Sequence, residues 1–430
     1  MIELTLALSP LIDAETLREI ALAAGADDVG FVSIDNPALD DQRAEILAAF
    51  PFARTLISIV TKMNRENVRS PARSLANLEF HHANDECDEI SRAIVKNLET
   101  RGLRAAYPPV GFPMEASNWP GKMWVISHKP VAIAAGLGRM GIHRNVIHPK
   151  FGNFILLGTI AVDCALEHNC APLDYNPCVA CKLCVAACPT GAIAPDGHFD
   201  FAACYTHNYR DFMGGFSDFV ETVANAKDAR AYRDKISDAE TVSVWQSLAF
   251  GPNYKAAYCM AVCPAGEDVI GAYRADKRSF LREIVDPLQQ KVETIYVSPG
   301  SDADEYVSRR FPHKHSKRVG SVLRATNVDN FLGALQHVFQ RNRSAGLNAV
   351  YHFVFTGVQS RRATITIAHK KLSVQDGLTG APDLAITADG ETWIKFLRKE
   401  TSLPWALLSR RIKLRGDPRL LLAFGKCFPA

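Results

Sequence analysis

The chain reads as an α/β protein that carries a cysteine-rich module and ends in a separate α+β domain. Three observations predict this. Short apolar strands alternate with helices over residues 1–165, the pattern of an α/β core. Seven cysteines then fall between Cys178 and Cys263. Beyond a turn-rich, charged stretch near residues 290–315 the pattern changes to alternating strands grouped apart from helices. The expected division is a core over residues 1–165, a cysteine module over 166–285, a linker over 286–320 and a last domain over 321–430.

The elements follow in order. Leu17, Ile20, Ala21 and Ala24 share one helical face. Residues 29–34 form a short buried strand and residues 55–60 a second, after the break at Pro51. Residues 77–101 make a polar-faced helix headed by His81-His82-Ala83-Asn84-Asp85-Glu86. Residues 105–165 hold further strands, and 154–162, apolar throughout, is an interior one. Residues 205–255 are helical with loops and separate Cys204 from Cys259. Ser298-Pro299-Gly300-Ser301 and the acidic residues after it, followed by basic 309–315, have linker composition. In the tail, residues 328–341 are an amphipathic helix, 350–355, 363–368 and 383–387 are strands, and helices run from about 390 to 424.

Bulk composition sets limits. The chain has 430 residues, enough for about two or three domains with their own cores. Apolar content of 47% and charged content of 22% are ordinary for a globular protein. The net charge of +3 is too small to argue for nucleic acid. No run approaches the length of a membrane span, and the first residues lack the basic and apolar regions of a leader. Of eleven cysteines, the four outside the module (Cys87, Cys164, Cys170 and Cys427) show no paired framework. Thiols that must stay reduced until a metal binds point to a reducing, cytoplasmic setting.

The cysteines carry the chemistry. Cys178-x-x-Cys181-x-x-Cys184-x-x-x-Cys188-Pro189 has the spacing of the bacterial ferredoxin signature. Three thiolates in a tight loop take three corners of a [4Fe–4S] cube, and the fourth turns away to a second cluster. Zinc would favour paired Cys-x-x-Cys knuckles instead. A second fragment comprises Cys204 and Cys259-x-x-x-Cys263-Pro264. The chain therefore moves electrons one at a time.

A second motif is Gly136-Leu137-Gly138-Arg139-Met140-Gly141. It fits G-x-G-x-x-G, but it stands mid-chain after a helical run, whereas a nicotinamide fingerprint follows a first strand. It reads better as a turn that lets a large planar or phosphate-bearing ligand approach the backbone.

Here the sequence resembles a known family. Residues 129–141, with the Ala135-Gly136-Leu137-Gly138 turn, and residues 151–163 look like segments of epoxyqueuosine reductases and reductive dehalogenases. Residues 24–31 and 51–58 are also similar, and the ferredoxin run arrives at the expected distance. The resemblance covers roughly residues 10–270. It implies a nitroreductase-like core binding cobalamin base-off through backbone contacts, at Gly136, Leu137, Gly138, Arg139, Met140 and Gly141. It implies a first cluster on Cys178, Cys181, Cys184 and Cys263, and a second on Cys188, Cys204 and Cys259. The second lacks a ligand, because Ala256 stands where the family has cysteine. A three-iron cluster, a non-cysteine ligand, a cysteine from elsewhere such as Cys170, or no second cluster would each fit. The family's proton donor maps onto Asp85, although its neighbours differ. Such an acid should be buried, with its pKa raised. His81, His82, His143, His148, Arg139 and Arg144 are further polar candidates, each also readable as surface or structural.

Residues 325–428 resemble the sterol carrier protein 2 fold, on the strand 350–355, the turn and strand around Gly377 and Ala381-Pro382-Asp383-Leu384, and Lys413-Leu414-Arg415-Gly416-Asp417. That resemblance implies a five-stranded sheet packed with helices around an apolar tunnel. Phe353, Phe355, Ile365, Ile367, Trp393, Phe396 and Trp405 read equally as a packed core.

The leading expectation is a reductase. A ferredoxin or flavodoxin would supply low-potential electrons, which pass through the cluster to cobalamin and on to an organic substrate, apolar or lipid-like given the tail domain. The small charge and absence of a basic stripe argue against transfer RNA. Halogenated organics fit the family only. The alternatives are a cobalamin-free electron-transfer protein with a lipid-binding or docking tail, and a binding protein whose core is mainly structural.

Overall fold

The computed structural model describes residues 12–119, 121–167, 169–178, 180–320 and 324–429. Two compact units emerge, one of residues 1–187 with 258–288 and one of 188–257 with 289–430. The cysteine module expected over 166–285 is therefore shared between them, rather than standing as a domain of its own. Among the described residues no helix is long and apolar enough to cross a membrane.

The first unit is built on β1 (Asp28–Ser33), β2 (Thr55–Lys62), β3 (Ala105–Ala106) and β6 (Ile155–Val162) in the order β1-β2-β6-β3. Every neighbouring pair is antiparallel, with Phe31 opposite Ile57 and Ile57 opposite Ile160. Side chains alternate across a strand, and both faces of this sheet are covered. Val29, Phe31, Ile57, Ile59, Ile160 and Val162 pack against helices Ala14–Ala23 and Arg73–Thr100. Val32, Leu56 and Ala161 turn the other way, onto helices Asp40–Ala49 and His128–Ala134. Double coverage explains why apolar residues occupy both faces of these strands. Gly30 is needed because a Cβ there would stand 2.2 Å from the Ala135 carbonyl oxygen. A short hairpin, β4 (Arg139–Met140) with β5 (Val146–Ile147), lies between the sheet elements.

The second unit begins with helices Phe201–Asn208, Gly214–Ala224, Ala229–Arg233 and Asp238–Phe250. Residues 286–320 are not a linker. β7 (Thr294–Val297) and β8 (His315–Arg318) pair in parallel across the helix Asp302–Arg310, with Ile295, Val297, Val307 and Phe311 buried. The charge segregation that suggested a linker is that of a capped helix. Ser301 caps its start, Asp302, Asp304 and Glu305 fill the first turn, and Arg309 and Arg310 the last, each sign matching the helix dipole.

The tail forms the sheet β11-β10-β9-β12-β13, from β9 (Ala349–Thr356), β10 (Arg361–Ala368), β11 (Lys371–Asp376), β12 (Leu384–Asp389) and β13 (Ile412–Gly416). β9 and β12 are parallel and the other pairs antiparallel. Helix Val328–Val338 packs onto it, as do the helices after β12. The helical run expected over 390–424 is interrupted by β13, where Ile412 and Leu414 turn inward between outward Lys413 and Arg415. Inside, the rings of Phe331, Phe353, Phe355, Trp393 and Phe424 lie 5.4–6.1 Å apart, filling the interior with aromatic contacts.

Candidate metal centre

The cysteine loop of the first unit is coiled by its backbone. Ala180 and Lys182 both adopt left-handed conformations, at φ 56° and 55°. Asn176 Oδ1 accepts the Cys178 N–H, and the Tyr175 hydroxyl donates to the Ile147 carbonyl at 2.6 Å, tying the loop to the hairpin. The chain then enters helix Leu183–Ala187, which buries Cys184. Cys263 arrives from a distant part of the sequence, just after helix Tyr258–Ala261. Cys178, Cys181, Cys184 and Cys263 line one cavity, with Ile142 and His143 in its wall.

Burial and mutual crowding keep the thiols of this cavity protonated. Burial raises the Cys184 thiol, and the crowding of Cys259, Cys263, Cys181 and Cys178 raises it further. Burial, again with its cysteine neighbours, pushes Cys263 up to about 12. Thiols packed this way ionise only when positive charge arrives, and iron supplies it. Ligand type, spacing and enclosure thus fit a [4Fe–4S] cube.

The glycine-rich segment is the hairpin against this cavity. The Ile142 N–H points at Cys178 Sγ, 3.5 Å away, and Asn145 Nδ2 lies 3.9 Å from Cys259 Sγ. Its glycines face the chain itself. A Cβ on Gly136 would meet the Ala171 carbonyl oxygen at 2.7 Å, one on Gly138 the Ile147 carbonyl oxygen at 2.5 Å, and one on Gly141 the His143 ring at 2.8 Å. Leu137 is buried, while Arg139 and Met140 are half-buried. A side chain at these three glycines would collide with the chain itself, which is why glycine stands there.

Of the remaining sequence candidates, Cys259 lies near enough to crowd Cys184 and Cys263, and the others fall elsewhere. Cys188 and Cys204 belong to the second unit and Cys259 to the first. Cys188 contacts the Thr190 hydroxyl at 3.7 Å, and Cys204 sits half-buried on helix Phe201–Asn208. Cys170 is engaged with β1, its sulfur accepting the Phe31 N–H at 3.4 Å. Ala256 is buried, and its N–H donates to Asn208 Oδ1. His148 is structural: its Nε2 meets Asp28 at 2.9 Å and its ring stacks on Phe151. His82 and Arg144 are exposed and His81 is half-buried. His143 is buried, which pushes it down to about 4 and keeps it neutral.

Asp85 lies exposed on helix Arg73–Thr100, not in the buried setting expected of a proton donor. One turn on, Asp88 is half-buried. Burial raises its carboxyl pKa, although it accepts the Val110 N–H and an Asn84 amide hydrogen, both at 3.3 Å. The helical phase set by buried Ala83, Cys87 and Ile90 turns Asp88 inward relative to Asp85, a signal available to a periodicity argument. A second group not singled out by sequence is His128. It is half-buried between Thr159 Oγ1 at 2.8 Å and the Pro109 carbonyl at 3.3 Å, and desolvation pushes it down to about 4.

A thiol-lined cavity on a ferredoxin-spaced loop, in a chain that ends in a five-stranded helix-packed domain, defines an iron–sulfur protein with a sterol-carrier-like tail. Comparison with known proteins agrees: residues 171–194 match the 4Fe-4S binding domain and residues 332–429 the SCP-2 sterol transfer family. The chain is similar to epoxyqueuosine reductases. That of Vibrio cholerae serotype O1 is 33% identical over 92 residues, 21% of this chain and 24% of the relative. That of Gloeobacter violaceus is 25% identical over 169 residues, 39% of this chain and 50% of the relative. The chain thus spans between about a quarter and a half of the length of these relatives. A solved epoxyqueuosine reductase bound to a modified tRNA-Tyr stem loop aligns over 46% of this chain and 57% of that one, at 19% identity and TM-score 0.36. A catabolic reductive dehalogenase aligns over 64% and 34%, at 14% identity and TM-score 0.40.

Proposed function

We propose that this chain is an iron–sulfur oxidoreductase that takes up single electrons at a [4Fe–4S] cluster on Cys178, Cys181, Cys184 and Cys263 and delivers them to an organic substrate. The observation that carries this is the convergence of those four thiols on one cavity. Similarity to epoxyqueuosine reductases supports the reductase chemistry. The electron source is a low-potential donor of the ferredoxin or flavodoxin type.

The finer reading adds cobalamin beside residues 136–141. When bound, it would supply a strongly reducing metal centre between cluster and substrate. The chain's own residues contribute the hairpin that adjoins the cluster loop, with Arg139 and Met140 as its half-buried side chains. Support for cobalamin comes from the family resemblance, since the glycines contact the chain itself. Asp88, half-buried with a raised pKa, suits the role of acid better than exposed Asp85.

For substrate we favour a small apolar or lipid-like molecule, on the strength of the tail's match to a sterol transfer family. Transfer RNA is the other outcome, because an epoxyqueuosine reductase has been solved with a tRNA stem loop. The closed packing of the glycines favours one second reading, a cobalamin-free electron-transfer protein.

Anaerobic reconstitution with iron and sulfide, with and without cobalamin, tests these readings. Stoichiometric cobalt with a base-off cob(II)alamin resonance would establish the corrinoid reductase. A cluster signal without cobalt would leave the electron carrier, and absence of iron would overturn both.

A further inference from the structure

The first unit holds a buried cation whose surroundings ask for an anion. Arg69 ends the short helix Arg65–Arg69, and its side chain is only 13% exposed. Its guanidinium lies over the rings of Phe154 and Phe280, with centroids at 5.2 and 5.5 Å. Among the described residues, Nε and Nη2 are buried without a hydrogen-bond partner. The carboxylate that reaches Arg69 is Glu66, 3.9 Å from Nη1 and itself 83% exposed. Two aromatic faces and one distant surface carboxylate do not replace the water lost by a buried guanidinium. An enclosed cation of this kind persists at a high cost unless fixed negative charge stands nearby.

The source of that charge follows from the packing. Helix Arg65–Arg69 packs against helix Tyr258–Ala261, which leads directly to Cys263. Burial works against the charged guanidinium, Glu66 opposes that effect most, and Cys263, electrostatically coupled to Arg69, adds to that opposition. A cube held by four thiolates is an anion, and it gains a further negative charge when it accepts an electron. A positive charge beside one of its ligands stabilises the reduced form more than the oxidised form.

We propose that Arg69 is the built-in counter-charge of the cluster on Cys178, Cys181, Cys184 and Cys263, acting through Cys263 to raise the reduction potential of the cluster. Its place between Phe154 and Phe280 fixes the distance of the charge and keeps water from screening it. The inference rests on the cluster reading above. The step it modulates is a single one-electron reduction of the cluster, with the electron supplied by an external low-potential donor.

The test compares the full chain with Arg69→Gln, Arg69→Met and Arg69→Lys after anaerobic reconstitution. Iron and sulfide are counted, and the cluster is titrated with dithionite and mediator dyes under electron paramagnetic resonance. With iron retained, Arg69→Gln and Arg69→Met should shift the midpoint to more negative potential, and Arg69→Lys should stay near wild type. Glu66→Gln, a surface-charge control, should move it little. Unchanged midpoints in Gln and Met would overturn the proposal, as would an equal shift in all three variants, which would indicate packing and not charge. If Gln and Met lose iron, retention of both iron and midpoint by Lys upholds the proposal, and loss in Lys as well overturns it. A wild-type chain that binds no iron would instead overturn the cluster reading itself.

Discussion

The backbone N–H of Ile142 points at the sulfur of Cys178 across 3.5 Å, joining two sequence motifs that stand 36 residues apart. The glycine-rich hairpin is thus part of the wall around the candidate cluster. Hydrogen bonds to cluster sulfurs are one of the levers that set potential, so hairpin geometry and redox behaviour are linked.

Gly138→Ala tests that link. The added methyl would stand 2.5 Å from the Ile147 carbonyl oxygen, and backbone cannot move aside cheaply. We expect a loss of about 1–3 kcal/mol in stability, together with lower iron retention after reconstitution. Chemical denaturation and an iron count check both parts. Stability and iron content equal to wild type would show that the hairpin tolerates the strain.

Acid should destabilise the fold through His128 and His207. Burial pushes His128 and His207 each down to about 4, from an ordinary 6.5. Between those values the unfolded chain binds protons that the folded chain refuses, so stability falls as pH drops from about 6.5 to 4. At about 1.4 kcal/mol per pH unit, each histidine contributes up to about 3 kcal/mol of this loss. Urea melts across that range check it, and His128→Gln should flatten the slope.

Asp200 acts in the opposite sense. Burial first, and then the nearby Asp302 carboxylate, raise it to about 6 from 3.8, although it caps helix Phe201–Asn208 by accepting the Ala203 N–H. The folded chain holds this proton more tightly, so the group lowers stability as pH rises through about 4 to 6, and the penalty persists above that window. Asp200→Asn keeps a capping oxygen. It should therefore gain about 1–3 kcal/mol at pH 7.5 and nothing near pH 4. Thermal melts at the two pH values decide it.

Phe353→Ala probes the interior of the tail domain. Phe353 is fully buried, with Phe331 at 5.9 Å and Trp393 and Phe424 each at 5.4 Å. In a tightly packed core the truncation costs about 3–5 kcal/mol. A loss under about 1 kcal/mol would instead mean that the ring borders open space, as a lipid tunnel requires.

Much of this was legible in the sequence. The ferredoxin spacing marked Cys178, Cys181 and Cys184, the family resemblance supplied Cys263 as the fourth thiol, and the structure brings all four to one cavity. The strands at 29–34, 55–60 and 154–162 stood out because both their faces are apolar, and the tail strands because theirs alternate. The segment 286–320 misled because a short helix with acids first and bases last has the composition of a linker. β13 was absorbed into a helical run because five residues show too few periods to separate 2.0 from 3.6. Asp85 was chosen by motif match, which ignores the phase of the helix that half-buries Asp88.

The sequence by itself determined the metal chemistry, since thiols at that spacing have few other uses, and the kind of domain at each end of the chain. Tertiary structure decided what each polar group meets. It turned the glycines of residues 136–141 onto the chain's own carbonyls and ring, left Asp85 in water while half-burying Asp88, and enclosed Arg69 between two phenylalanines. The reason is physical: ligand identity and spacing are local properties of the chain, whereas desolvation and electrostatic neighbours come from residues that are distant in sequence and meet only when the chain folds.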